Sequence, residues 1–135
     1  MKRRIFLQGL GLSTIATRGY TGNADAAARF THGVASGDPL SDRVILWTRV
    51  IPQIANDALT VFWQVAIDQG FSRVVASGQA TASAGSDYTV KIDATGLQPD
   101  QSYFYRFVAR GVSSATGTTK TLPSGLATKF TIGVA

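Results

Sequence analysis

The chain of 135 residues has no cysteine and no glutamate, and it has a single histidine and a single methionine. Without cysteine there are no disulfides, so the fold rests on burial of an apolar core. One histidine, with neither cysteine nor glutamate, leaves a zinc or iron site short of its usual donors. Asp38 and Asp42 are close enough in sequence to share a calcium with turn carbonyls, but a solvated loop accounts for them more simply. No G-x-x-x-x-G-K phosphate loop occurs. Nor is there an uninterrupted apolar run of the ~20 residues that a membrane helix needs. Positive charge gathers at the start of the chain. Lys2, Arg3, Arg4 and Arg18 face only Asp25 in the first 28 residues, and the remainder carries nine basic against seven acidic residues. With no basic run after residue 28, nucleic acid has no electrostatic footprint on the folded part and is not expected as a partner.

What is present favours strands. All eight acidic residues are Asp, glycine numbers 14, and hydrophobic residues make up 44%. A mean hydropathy of +0.10 suits one packed domain. The acidic residues avoid the helix-favouring type, and Ser, Thr and Ala are plentiful, a balance that leans toward strands and turns.

The first 28 residues read as an address. A basic start leads into an apolar middle (Ile5–Ala16) and a small-residue end, where Ala-Asp-Ala and Ala-Ala-Ala fit the A-x-A cleavage pattern. Arg3-Arg4 followed by Phe6 and Leu7 resembles the twin-arginine export signal. The expectation is an exported protein, handled by the twin-arginine translocase, with residues 1–28 outside the fold and no stable membrane span.

Period-two alternation then recurs through the chain. Asp42–Val50 sets Val44, Leu46 and Val50 against Ile45, Trp47 and Arg49. Leu59–Asp68 sets Val61, Trp63, Val65 and Ile67 against Phe62, Gln64 and Ala66. Tyr88, Val90 and Ile92 alternate with Thr89, Lys91 and Asp93, and Tyr103, Tyr105 and Phe107 alternate with Phe104 and Arg106. Phe30–Ser36, Arg73–Ser83 (with Gly78 marking a bulge or edge) and Thr116–Leu122 bring the count to about seven strands. That spacing predicts an all-β, antiparallel immunoglobulin- or fibronectin type III-like sandwich over residues 29–123. Trp47 and Trp63 are expected to fill much of its core. Leu97, Pro99 and Tyr103 have the Leu-x-Pro-x-x-x-Tyr spacing of a tyrosine corner: the proline bends the chain, the leucine plugs the core, and the phenol bonds back to the corner's backbone.

His32, Ser36 and Asp38 are the residues that most suggest chemistry. On an extended strand His32 and Ser36 lie about 13 Å apart, and a base must be within about 3.2 Å of its nucleophile. The reading is a strand and a turn, with no catalytic or metal residue in the segment.

Phe30–Val50, "FTHGVASGDPLSDRVILWTRV", resembles the opening of the alkaline phosphatase D family, with its Phe-x-x-Gly-Val-Ala-Ser-Gly-Asp-Pro followed by Val-x-Leu-Trp-Thr-Arg. Gly96–Phe107 and the closing Lys129–Ala135 support the likeness. The resemblance implies a twin-arginine signal, an N-terminal immunoglobulin-like domain and then a larger α/β metallophosphatase domain that carries the active site. It implies a parent enzyme that hydrolyses phosphate esters in the periplasm, cell wall or medium. Calcium and iron there would polarise phosphoryl oxygens and generate a hydroxide nucleophile. On this reading 124–128 is a linker, and 129–135 is the first strand of the phosphatase domain, this sandwich's own partner. The family's metal-ligating cysteine would follow just after Ala135, so none of its catalytic positions is expected here. Two other readings are weighed. A purple acid phosphatase also has a fibronectin-like N-domain, but its second domain opens with a Gly-Asp motif that is missing from Phe130–Ala135. A free-standing adhesion or sugar-binding module would need an exposed aromatic platform, for which Phe62 and Phe104 are candidates.

Overall fold

Every second residue from Val44 to Val50 is buried, which lays this segment down as a strand with one dry and one wet face. The computed structural model describes residues 28–55 and 57–125. The chain runs through β1 (Val34–Gly37), β2 (Arg43–Arg49), β3 (Leu59–Ala66), β4 (Val74–Ala82), β5 (Thr89–Thr95), β6 (Ser102–Ala109), β7 (Val112–Ser113) and β8 (Gly117–Lys120). One sheet has the order β1-β2-β5. The other has the order β4-β3-β6-β7, with β8 also paired to β6, and all pairings are antiparallel. The protein is an all-β sandwich of two antiparallel sheets.

The dry faces meet in one core. One sheet contributes Val44, Leu46, Val50, Val90 and Ala94, and the other Leu59, Val61, Val65, Tyr103, Tyr105, Phe107 and Ala109. Tyr105 and Phe107 pack edge to face at 6.3 Å. The one hydroxyl buried in the β2 core row, that of Thr48, donates to the Gly33 carbonyl at 2.9 Å, so it costs little.

Several expectations need correcting. Trp47 does not fill the core. The register that buries Val44, Leu46, Thr48 and Val50 turns it onto the outer face, half-buried between its ladder neighbours Ala35 and Lys91. Trp63 does point inward, and its indole lies over Gly78 of the edge strand β4, where a Cβ would stand 2.9 Å from the ring. Gly78 therefore marks a close approach on an edge, while the irregularity in this ladder falls at Val65/Ala66. The segment before β1 makes only an isolated bridge, Arg29 with Ile51. The two-residue β7 is an eighth strand that the turn spacing did not suggest. The predicted signal motif at Arg3, Arg4, Phe6 and Leu7 and the predicted strand 129–135 lie outside the described residues.

The antiparallel order sorts the connections to two poles. One pole holds the β2–β3, β4–β5 and β6–β7 connections. The other holds β1–β2, β3–β4 and β5–β6 together with the chain after β8. At the second pole Leu122 N–H donates to the Leu40 carbonyl at 3.0 Å, and Leu97 N–H donates to the Asp42 carbonyl at 2.9 Å. These bonds join the two sheets where the chain leaves the sandwich.

The open edges between the sheets are closed by size matching. A Cβ at Gly117 would collide with Tyr105 Cζ, so β8 passes directly over the phenol ring. Gly117→Ala is expected to destabilise the domain by about 1–3 kcal/mol through overpacking, seen as a lower urea midpoint at unchanged slope. An unchanged midpoint would mean that the ring yields freely.

Candidate functional site

The structure disperses the three residues that looked catalytic. His32 is exposed ahead of β1, where Arg49 Nη1 donates to its Nε2 at 3.1 Å. A guanidinium has no acceptor, so Nδ1 keeps the ring proton and faces Thr31 Oγ1 at 2.9 Å. Ser36 is exposed on the edge strand β1, with its side chain within hydrogen-bond reach of the Tyr105 hydroxyl. Burial raises the phenol's pKa above its ordinary value, and the bond from Ser36 opposes part of that rise. Asp38 occupies the β1–β2 turn with φ 44°, a left-handed conformation that Asp tolerates. None of the three shares a hydrogen bond with another. Asp42, the other half of the weighed calcium pair, is bonded to Arg43 at 3.2 Å. Among the described residues no three His, Cys, Asp or Glu side chains are grouped to hold a metal.

The organised polar structure is the corner at 96–103. Gly96 takes φ 79°, a left-handed turn open to glycine, and carries the chain off β5. Leu97 is buried and Pro99 is exposed on the bend. The Tyr103 hydroxyl accepts from Gln98 N–H at 2.8 Å, and Gln98 O lies 3.5 Å from it. Thr121 completes the arrangement. Its buried hydroxyl donates to Gln98 O at 2.6 Å and accepts from Gln101 N–H at 3.1 Å. The sequence reading missed Thr121. A threonine between Lys120 and Leu122 at the end of a polar strand carries no distinguishing signal.

Two further features frame this pole. In the β3–β4 turn Asp68 accepts from Ser72 N–H at 3.0 Å and Arg73 N–H at 2.8 Å. The backbone bond from Ser72 is the main reason its carboxyl stays below the usual range. Beside it Arg106, held by Gln64 at 2.9 Å, stacks 4.0 Å from the Phe71 ring. Of the candidate aromatic platform, Phe62 stands 50% exposed, whereas Phe104 is half-buried.

Among the described residues His32, Ser36 and Asp38 share no hydrogen bond with one another, and comparison with known proteins shows the family. The model of the PhoD-like phosphatase N-terminal domain matches residues 15–123. The chain belongs to the PhoD-like phosphatase N-terminal domain family. The match begins inside the stretch read as an export signal. Alkaline phosphatase D of Bacillus subtilis (strain 168) is 41% identical over 140 residues, covering 90% of this chain and 24% of that protein. A solved structure of PhoD superposes with TM-score 0.68 at 44% identity, covering 70% of this chain and 19% of the solved one. This PhoD-like N-terminal domain thus spans about a quarter of the length of its curated relative.

Two outcomes test the corner and the turn. Tyr103→Phe leaves Gln98 N–H without its partner, and Thr121→Val strips both Gln98 O and Gln101 N–H. Each is expected to cost about 1–3 kcal/mol, measured by urea unfolding. For Asp68 the folded pKa is depressed, so its stabilisation is present above the unfolded value and lost as pH falls through the folded one. Amide protection factors in the β3–β4 turn, corrected for the intrinsic pH dependence of exchange, should therefore fall as pH drops below the ordinary carboxylate range. In Asp68→Asn, compared with wild type, that added acid sensitivity should be absent.

Proposed function

We propose that this chain is the non-catalytic N-terminal domain of an exported, metal-dependent phosphatase or phosphodiesterase of the alkaline phosphatase D type, and that it serves as the support against which the phosphatase domain packs. One observation carries the reading: a family match over most of the chain coincides with a fold whose described residues hold no metal-binding group. The sheet order, β1-β2-β5 against β4-β3-β6-β8, is the arrangement expected of a fibronectin type III-like module. The corner at Leu97, Pro99 and Tyr103 fits the same type.

On this reading residues 1–28 are the twin-arginine signal, 29–123 the sandwich, 124–128 a linker and 129–135 the entry into the phosphatase domain. The protein acts in the periplasm, in the cell wall or outside the cell. Calcium and iron, the metals that the resemblance implies, have no ligand set among the described residues, and no catalytic step is assigned to them. Its work is to fold independently of metal and to hold a neighbouring domain.

Residues 29–135, supplied with calcium and iron, should not turn over p-nitrophenyl phosphate or bis-p-nitrophenyl phosphate above blank. Metal-dependent turnover by that segment would overturn the reading. Genomic sequence beyond the codon for Ala135 should encode a segment rich in Asn and Asp, with a cysteine near its start. A natural stop codon there would count equally against it.

A further inference from the structure

We infer that the pole from which the chain leaves the sandwich is the docking surface for the phosphatase domain, centred on Pro39, Leu40 and Leu122. This inference rests on the proposed function and names the surface it would use.

Leu40 is 53% exposed and Leu122 38% exposed, an unusual position for two leucines at the ends of well-ordered loops. They are neighbours, since Leu122 N–H donates to the Leu40 carbonyl. The ground beneath them is stiff. Leu40 N–H donates to the Arg43 carbonyl at 2.9 Å, Asp100 N–H donates to the Leu122 carbonyl at 3.0 Å, and the Tyr103–Gln98–Thr121 bonds lie directly behind. The apolar residues are thus displayed on a clamped backbone rather than on a free loop.

The rim is polar. Lys120 pairs with Asp100 at 2.7 Å on the Leu122 side, and Arg43 pairs with Asp42 and Asp93 on the Leu40 side, where Asp38 and Lys91 also border the groove. An apolar centre with a polar rim is the usual anatomy of a docking patch. From Leu40 a shallow groove runs past Pro39 to Ile45 on the outer sheet face, with Lys91 on its far side.

Chain continuity identifies the occupant. The chain continues directly from Leu122, so a domain that follows in the same polypeptide is tethered next to this patch. A tethered neighbour experiences a high effective concentration, so a patch too small to hold a free partner is sufficient for it. Of the other exposed apolar residues, Val74 and Val75 begin β4 at this same pole, whereas Ile54 at the opposite pole and Phe62 on the β3 outer face lie away from it.

The test uses an intact enzyme. In Bacillus subtilis alkaline phosphatase D the matching N-terminal quarter is replaced by residues 28–125 of this chain, and unfolding is followed by calorimetry and by proteolysis at the junction. The unsubstituted chimera is expected to melt in one transition. Leu40→Asp with Leu122→Asp should split it into two and speed junction cleavage about tenfold or more, with the sandwich still melting cooperatively on its own. Phe62→Asp should leave the single transition intact. If Phe62→Asp uncouples the domains and the leucine pair does not, the surface is wrong while the supporting role stands. If the unsubstituted chimera already melts as two independent units, the packing role fails and this surface with it.

Discussion

Between Ala94 and Tyr103 the chain leaves one sheet and enters the other, and the bend it makes there exposes backbone groups that no ladder can satisfy. An unpaired buried amide costs about 1–3 kcal/mol, so the crossing needs partners from outside the sheets. The Tyr103 hydroxyl takes the Gln98 amide, and Thr121 takes the Gln98 carbonyl and the Gln101 amide. Both hydroxyls are buried, so these bonds are shielded from competing water. The same cluster positions the turn after β1 and the end of β8, because Leu97 and Leu122 donate to Asp42 and Leu40. Loosening that corner would free three connections at once.

Charge contributes little to holding the sandwich. Among the described residues the five ion pairs lie on its surface, including Arg49–Asp87 at 2.8 Å and Arg110–Asp57 at 3.2 Å, and exposed pairs are worth about 0–1 kcal/mol each. With no cysteine in the chain, cohesion must come from the packing of Val44, Leu46 and Val50 against Tyr105, Phe107 and Val61. That packing explains the intolerance at Gly117 and Gly78. Each glycine lets an aromatic ring pass where a methyl group would collide. Small residues at the sheet edges and large rings within are two halves of one volume constraint.

The strands were legible because alternation is a property of single residues. Val44, Leu46 and Val50 share a parity, and that parity alone settles which face is dry. Trp47 shows where composition misleads. A large ring suggests burial, but its odd register puts it outside, and register takes precedence because turning one residue inward would turn Val44 and Leu46 out. The corner was legible through the Leu97, Pro99 and Tyr103 spacing. Thr121 was not, since its partner Gln98 lies 23 residues away and only the folded chain brings them together. The apparent triad failed for a related reason. Its three residues are near in sequence, yet alternation and the turn at Asp38 direct His32 to Arg49 and Ser36 to Tyr105.

On the proposed reading, this domain would act on its neighbour through stiffness rather than through chemistry. Were the exit strand anchored by β8 pairing alone, four paired residues would hold the exit to the sandwich, and the end of that ladder would fray. Thr121 and Leu122 extend the anchorage beyond β8 by bonding to Gln98, Gln101, Asp100 and Leu40, which belong to two other connections. Motion of the exit is thereby tied to opening of the corner, which is itself tied to the core through Tyr103. A neighbour docked at this pole would couple to the stability of the whole sandwich rather than to one strand. That coupling is a physical reason for concentrating buried hydroxyls at one end of a fold otherwise held by apolar contact.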